Sequence, residues 1–446
     1  MRYIWFCVVM LVISPAVFAS TFYVDATKGN DFSDGLSPEK AWKTIEKVRD
    51  TTFKPGDEIR FKRGEVFGDS ILFVYSSGSK DKPIVFGDYG DPQKPRPVIT
   101  FTRNFCIWMR DRAYLVFKNL EVAGGGEAVI ELKQSAIGKT HDIVIKDCII
   151  RGAQCGVWVD TAEGGLVEGC EIYNCFTGFS SHDPGFTVRN CKIHDNTYGV
   201  SVGTNNTVIE GNEIYNNEVG IQYGFGYGKF DITFRGNLIR DNKRSGFETW
   251  YGVVNAGTVC YNIFARNGGD GIFLKDGVSG IALYNNVVYG NGGHGIHLAQ
   301  EKEKTPSGIV IKNNIIMDNK GYEIKVAQGV SGLVSDYNCV FDAASPLIME
   351  WYGTGYGWDD WKRTSKQDSH SLNQDPLFVD KSSNDFRLKA QSPCAKAGCD
   401  VGLKGVDYYG HAVPVGKVDI GVHEHSASEP LKHKAAGGEG AKEKKE

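Results

Sequence analysis

The sequence predicts an all-β protein, a right-handed parallel β-helix of about ten coils with a short N-terminal capping helix. The first supporting observation is an internal repeat of 21 to 28 residues. The second is a composition suited to many turns, with 55 Gly against 14 Pro in 446 residues. Hydrophobic residues make up 41% and charged residues 23% of the chain, which is typical of a folded globular protein.

Three columns of residues mark the repeat. The first is an Asn/Cys column: Cys148, Cys170, Cys191, Asn212, Asn237, Asn262, Asn286, Asn314 and Asn338. The second is an Asn column: Asn196, Asn217, Asn242, Asn267, Asn291 and Asn319. The third is a Gly column: Gly156, Gly178, Gly199, Gly220, Gly246, Gly271 and Gly295. Three short apolar runs per unit, joined at these corners, predict parallel strands that stack coil on coil. We interpret the asparagines as corner ladders whose amides bond along the stack and tolerate left-handed turns.

The two ends of the chain differ from the repeat. A charged start, an apolar run from Tyr3 to Ile13 and small residues before Ser20 predict a signal peptide over residues 1–19. We expect the β-helix domain over residues 20–425 and a disordered Lys/Glu/Gly/Ala tail over residues 426–446. No later stretch is long and apolar enough to span a bilayer, so we expect a secreted or periplasmic product without a membrane span.

Ten cysteines follow the predicted signal peptide. Those in the Asn/Cys column occupy positions where small buried side chains stack, and there we expect free thiols. Cys394 and Cys399 are close enough in sequence for a local disulfide.

Several segments resemble a known family. They are Phe22–Asp25, Asp34–Ile45, Pro55–Ile59, Asp375–Phe378 and Asp419–Val422. They are similar to segments of the secreted β-helix proteins of the pectate-lyase-like superfamily. That superfamily includes polysaccharide lyases, carbon-5 epimerases, glycoside hydrolases and non-catalytic surface proteins, so the resemblance implies a fold more than a reaction. In such rods an amphipathic helix covers the open N-terminal end, and we expect it over Glu39–Arg49.

Alternation places one row of side chains outside the coil just after the Gly column. That row is Trp158, Ser180, Ser201, Gln222, Glu248, Phe273, His297 and Lys325. A second row, two residues further on, includes Asp160, His182, Trp250 and Lys275. Because neighbours in a row lie one coil apart, Glu248, Trp250, Phe273, Lys275 and His297 should form one patch.

The patch combines residue types suited to uronic-acid chemistry. We expect Lys275 to act as base, Glu248 to position or bind a cation and His297 to assist proton transfer. Trp158 and Trp250 would stack on sugar rings, and Arg244 and His182 would contact the substrate. These three polar residues also have a purely structural interpretation. Lys275 would be a solvated surface lysine, and Glu248 would form an ion pair with His297.

Asp270 is the candidate metal ligand. The segment Asn267–Gly271 resembles the calcium-bearing turns of lysine-dependent pectate lyases, which implies calcium at Asp270. The chain lacks the further aspartates of that subfamily. His294-Gly295-Ile296 likewise resembles a turn of mannuronan epimerases.

The preferred interpretation is therefore a protein that acts on a uronate-containing polysaccharide by β-elimination. Two alternatives remain, a hydrolase with Glu248 and Asp270 as acid pair, and a non-catalytic carbohydrate-binding surface protein. We expect a monomer with a polysaccharide partner and no organic cofactor. The net charge of −4 argues against nucleic acid.

Overall fold

The computed structural model describes residues 19–203, 205–224, 232–250, 255–300 and 304–425. The predicted signal peptide, apart from Ala19, lies outside these ranges, and so does the predicted tail. None of the described helices has the length and apolar character needed to cross a membrane.

The described chain winds into a right-handed parallel β-helix of about eleven turns, which confirms the predicted fold class. Each turn contributes one strand to each of three sheets, in the order first, second, third. At about 4.8 Å per coil, the stack is about 50 Å long.

The strands of the three sheets have the following bounds. The first sheet contains Thr21–Val24, Glu58–Lys62, Ile84–Tyr89, Ala113–Lys118, His141–Lys146, Glu163–Glu168, Phe186–Arg189, Thr207–Glu210, Ile232–Arg235, Asn255–Cys260, Ser279–Tyr284, Val310–Lys312 and Val334–Asp336. The second contains Val66–Phe67, Val98–Phe101, Glu121–Gly124, Ile149–Arg151, Glu171–Tyr173, Lys192–His194, Glu213–Tyr215, Leu238–Arg240, Ile263–Ala265, Val287–Tyr289, Ile315–Met317 and Cys339–Phe341. The third contains Leu72–Val74, Phe105–Arg110, Ala128–Lys133, Cys155–Asp160, Thr177–Ser181, Tyr198–Val202, Val219–Tyr223, Phe247–Thr249, Ile272–Leu274, Ile296–Leu298, Ile324–Val326, Met349–Trp351 and, antiparallel at its end, Thr354–Tyr356.

The core runs along the inside of the coils. The residue after each Gly of the Gly column points inward and is fully buried, as predicted: Val157, Phe179, Val200, Ile221, Phe247, Ile272 and Ile296. Alternation of inward and outward side chains therefore holds over the whole repeat.

The predicted Asn ladders are present at both corners of the second sheet. In the first ladder, Nδ2 of Asn237 donates to Oδ1 of Asn262 at 2.9 Å, and the backbone N–H of Asn237 donates to the same oxygen at 2.9 Å. Asn262 repeats this pattern onto Asn286. Each amide thus accepts from the coil before it and donates to the coil after it.

The left-handed turns belong to neighbouring residues rather than to the ladder asparagines. The residue before each position of the Asn/Cys column has a positive φ: Asp147, Gly169, Asn190, Gly211, Gly236, Tyr261, Asn285, Asn313 and Tyr337. The turn tolerance expected of the ladder residues is thus provided one residue earlier, where a short polar side chain or glycine is common.

A ladder that donates toward the C-terminus needs a final acceptor, and a buried carboxyl provides it in both cases. Asn319 donates to both oxygens of Glu323, from its backbone N–H at 3.0 Å and from Nδ2 at 2.5 Å. Asn338 donates to Asp368 at 3.2 Å. Burial raises the pKa of both carboxyls.

The N-terminal cap is shorter than predicted. The segment Glu39–Arg49 does not form one helix: a 3-10 turn, Pro38–Lys40, is followed by a five-residue α-helix, Ile45–Arg49. The intervening Trp42 is buried and its backbone pairs with Val24, which keeps that part of the chain extended.

The C-terminal segment covers the outside of the second sheet. It contains the 3-10 turn Lys381–Ser383 and a two-stranded sheet, Phe378–Asp380 with Asp385–Leu388. The α-helix Trp358–Ser365, which precedes it in the chain, instead packs against the C-terminal end of the main core, where its Trp361 is buried beside Trp351. Phe386 and Ile420 are buried against outward residues such as Ile315.

All ten cysteines of the described residues are free. The three thiols Cys148, Cys170 and Cys191 are buried, as expected. The local disulfide expected between Cys394 and Cys399 is absent, because Cys394 is instead buried in the cluster that contains Cys339.

Candidate functional site

The candidate site lies on the outer face of the third sheet. Strand register aligns its outward residues into one row, in which Glu248, Phe273, His297, Lys325 and Glu350 follow one another on consecutive coils. The part of the row predicted from sequence is confirmed, and the structure extends it at both ends.

Two of the predicted patch residues are outside the coil but not exposed to solvent. Glu248 is fully buried, and neither of its carboxylate oxygens has a hydrogen-bond partner. Within the described residues it forms an ion pair with the half-exposed Arg244, with Nη2 3.6 Å from Oε2. A buried carboxyl group without hydrogen bonds is costly for folding, and this ion pair offsets only part of the cost.

Lys275 is also buried, with 3% of its surface exposed. Its Nζ lies 5.0 Å from the ring centroid of Trp250 and 4.7 Å from that of Phe273. Ring faces attract an ammonium cation, so Trp250 and Phe273 form a cation–π site around Nζ.

Asp270 and His297 form the closest polar pair of the site. Nδ1 of His297 lies 2.8 Å from Oδ2 of Asp270, and Phe273 stacks on the imidazole with centroids 4.9 Å apart. Burial opposes ionisation of Asp270, but hydrogen bonds from His297 and from the backbone N–H of His294 outweigh it and lower the pKa of the Asp270 carboxyl. With Asp270 ionised, the neutral His297 carries its proton on Nδ1 and keeps the lone pair on Nε2.

A third residue, His294, completes a group of side chains with metal-ligand chemistry. Donor atoms of Asp270, His294 and His297 all lie within 4.8 Å of one another. However, Nδ1 of His294 accepts a hydrogen bond from the backbone N–H of Tyr322 at 2.9 Å, so its proton resides on Nε2. Burial lowers the pKa of His294, which favours this neutral form.

These donors do not fit calcium. Calcium takes six to eight oxygen ligands, whereas this group offers two imidazoles and one carboxylate. Both oxygens of Asp270 are already engaged, one by His297 and one by the N–H of His294. The calcium expected at Asp270 therefore does not match the donors that surround it.

The other predicted substrate contacts are spread along the rod. His182 is exposed and lies three coils before Glu248. Trp158 is half-buried and lies four coils before Glu248. Trp250, in contrast, belongs to the Glu248 coil.

Sequence reasoning missed a second group of residues, at the N-terminal end of the row. Phe73, Trp108 and Glu131 precede Trp158 on consecutive coils. Glu131 lies one coil before the first glycine of the Gly column, so the repeat pattern did not mark it. A glutamate within the apolar run Ala128–Leu132 was the available signal.

The outer face of the first sheet differs from this site. There charges of opposite sign are paired across coils, with Lys146 2.9 Å and Arg189 2.7 Å from Glu168. Cross-strand pairing of this kind stabilises the stack and leaves little unpaired charge to bind a ligand.

A family model described as "Right handed beta helix region" matches residues 98–238, 129–287 and 223–358, together more than half of the chain. The chain belongs to this right-handed β-helix family. One curated relative of this β-helix protein is a lacto-N-biosidase of Bifidobacterium longum subsp. longum, 24% identical over 318 residues. The match covers 63% of the chain but only 19% of that relative's length.

Two solved structures share the β-helix fold over almost their whole length. XylC, solved in complex with xylose, is 11% identical with a TM-score of 0.61, over 91% of this chain and 98% of that one. Pectate lyase Pel9A is 14% identical with a TM-score of 0.53, over 92% and 98%. At these identities the likeness shows the fold alone.

Proposed function

We propose that this β-helix protein is a carbohydrate-active enzyme that cleaves a uronate-containing polysaccharide by β-elimination, with His297 as the base. The observation that carries the proposal is the Asp270–His297 pair on the outer face of the third sheet. An ionised carboxylate that fixes the Nδ1–H tautomer leaves Nε2 as a proton acceptor.

A partly exposed arginine one coil from Asp270 supports an anionic substrate. Arg244 belongs to the corner that precedes Asp270: its carbonyl accepts from the N–H of Gly269 at 2.9 Å, and Gly269 in turn accepts from Gly293 at 2.8 Å. Arg244 thus lies one coil from Asp270, with a side chain that is 50% exposed. Its guanidinium is suited to neutralise a sugar carboxylate, which acidifies the neighbouring C–H bond.

Lys275 and Glu248 take supporting roles in this proposal. Nζ of Lys275 is held against the rings of Trp250 and Phe273, whereas His297 is oriented by Asp270, so we assign to His297 the role of base that the sequence suggested for Lys275. Glu248 lies behind Arg244 and orients its guanidinium.

The reaction balances without a redox partner. Nε2 of His297 takes the proton α to the carboxylate, and the electrons of that C–H bond form the new C=C bond. The bond from the β-carbon to the glycosidic oxygen breaks, and the leaving oxygen takes a proton from solvent. The products are a new chain end and an unsaturated uronate.

The hydrolase alternative has less support. It needs Asp270 as one of two catalytic carboxylates, but both oxygens of Asp270 already accept hydrogen bonds within the protein.

The test is ultraviolet absorbance of the purified protein with polygalacturonate, alginate and glycosaminoglycans, each with calcium and with a chelator. Unsaturated uronate absorbs, so we expect a rising signal with at least one polymer. His297→Gln should slow it by about 10²- to 10⁴-fold, the usual contribution of a general base.

The matched control is His194→Gln. His194 also pairs with an aspartate, Asp195 at 2.7 Å, but on the second sheet. The His194→Gln substitution should leave the rate of the absorbance increase unchanged. A flat trace with new reducing ends would establish hydrolysis instead, and a flat trace with polymer retained on the protein would establish the binding-only alternative.

Such a substrate lies outside the cytoplasm, so the proposal includes the predicted export to the periplasm or beyond. It also includes a monomeric enzyme, which light scattering after size exclusion would check.

A further inference from the structure

A second pocket lies on the same sheet, near the N-terminal end of the rod and away from His297. Its volume is about 330 Å³, and its lining includes Phe73, Trp108, Glu131 and Trp158. Glu131 is seven coils before His297 on the row, or about 34 Å at 4.8 Å per coil. The proposed elimination uses none of these residues.

The pocket has the shape of an aromatic clamp around one carboxyl group. Trp108 and Trp158 lie on the coils either side of Glu131, in register with it. Phe73 meets the Trp108 ring edge to face, with centroids 5.1 Å apart and planes at 87°, which fixes the orientation of that indole. Both tryptophans are half-buried, so one part of each ring remains open to the pocket.

Glu131 is the polar group of the clamp. It is 2% exposed, and Nζ of Lys133 lies 3.9 Å from its Oε1. Burial raises the pKa of Glu131, against the smaller opposing effects of Lys133 and Trp108. A buried carboxyl between two indoles is a costly arrangement for the protein alone and a useful one for a ligand with hydroxyl groups.

The charges around the pocket balance, which suits a neutral ligand better than a charged one. Lys133 already pairs with Asp160 at 2.6 Å, and Arg110 lies over the Trp108 ring at 5.4 Å. Glu127 also lines the pocket and adds negative charge beside Glu131. The lining therefore has two acidic side chains, Glu127 and Glu131, and two basic ones, Arg110 and Lys133, so it carries no excess charge of either sign.

We propose that this pocket is a binding site for a neutral pyranose, with the sugar ring held against Trp108 and Trp158 and a hydroxyl bonded to Glu131. Apolar faces of a pyranose fit indole rings, and the hydroxyls at its rim match a buried carboxyl. Because the rod aligns this pocket with the proposed reaction centre, a polymer bearing neutral sugars and uronates would contact both.

The proposal is tested by calorimetric titration with xylohexaose, cellohexaose and galactohexaose as neutral probes and hexagalacturonate as the charged one. We expect at least one neutral probe to bind, and Trp108→Ala and Trp158→Ala each to weaken that binding by about tenfold or more. Phe176→Ala, which removes a 54% exposed aromatic outside this pocket, is the matched control and should bind as the wild type does.

Two results would overturn the proposal: no binding of any neutral probe, or binding that survives both tryptophan substitutions. The proposal would also be contradicted if these variants lost binding of hexagalacturonate but kept binding of the neutral probes. The titration needs no turnover, so His297→Gln should bind the neutral probe normally. A failure of the elimination mechanism is thereby distinguished from a failure of this site.

Discussion

His297 and Asp270 lie on adjacent coils with Nδ1 of the imidazole 2.8 Å from the carboxylate. The same carboxylate accepts the backbone N–H of His294 at 2.6 Å, which fixes its orientation. Asp270 is therefore a positioning residue for the proposed base.

Asp270→Asn should lower kcat by about 10²-fold because the amide no longer enforces the Nδ1–H tautomer of His297. KM should change little, since Asp270 does not contact the substrate in the proposed mechanism. Steady-state kinetics on the polymer found active would measure both. Asp195→Asn, which alters the His194 pair, should have no effect. A change confined to KM would contradict the positioning role.

The Asn ladder should dominate the stability of individual coils. Asn262→Ala removes the acceptor of the backbone N–H of Asn237 and the donor to the carbonyl of Phe234, both at 2.9 Å. Two buried backbone groups lose their partners, so the free energy of unfolding should fall by about 2–5 kcal/mol. Urea denaturation would measure the loss. Lys192→Ala, at an exposed position of the second sheet, should stay within about 0.5 kcal/mol of wild type.

The cysteines should titrate as free thiols. Of the ten in the described residues, nine are buried and Cys399 is half-buried. A chromogenic thiol reagent should therefore react with about one thiol in the native protein and with all ten in urea, for a protein that begins after residue 19. A count of eight reactive thiols in urea instead of ten would indicate that Cys394 and Cys399 do form the disulfide expected from the sequence.

Two residues of the C-terminal segment should make the free energy of unfolding depend on pH in opposite directions. Burial raises the pKa of Glu424 from 4.5 to about 7. It lowers that of His423 from 6.5 to about 4. Between pH 4.5 and 7 the folded state holds a proton on Glu424 that the unfolded state has lost, so this contribution to stability falls as pH rises. Between pH 4 and 6.5 the unfolded state protonates His423 first, so that contribution rises with pH.

Glu424→Gln should remove the first effect and keep an acceptor for the hydroxyl of Tyr261, which donates to Glu424 at 2.9 Å. The free energy of unfolding should then rise more steeply with pH between 4 and 6.5, by up to about 1.4 kcal/mol per pH unit. Urea titrations across this range would show the change, and a slope equal to that of wild type would contradict it.

Sequence periodicity was sufficient to predict the fold, because every coil must meet the same structural requirements. The side chains of Val157 and Ile221 must enter the core, and Asn212 and Asn237 must satisfy backbone groups at the corners. Alternation then determines which side chains leave the coil, and the predicted outward row follows.

The chemistry of the site was only partly accessible from the sequence. The repeat aligns Asp270 with His294, since both follow the Asn column by three residues, but the bond of Asp270 to His297 depends on side-chain conformation. The burial of Glu248 and Lys275 also depends on side chains from other coils. Periodicity indicates on which face of the coil a residue lies, but not which side chains from other coils bury it.

Because the coils are evenly spaced, the number of coils between two residues of the outward row sets the distance between them. Adding or deleting one complete coil between Trp158 and Glu248 would preserve every corner ladder, yet move the two by about 4.8 Å. A lineage could thus retune the length of glycan measured between the aromatic clamp and the Arg244 corner without redesigning either end.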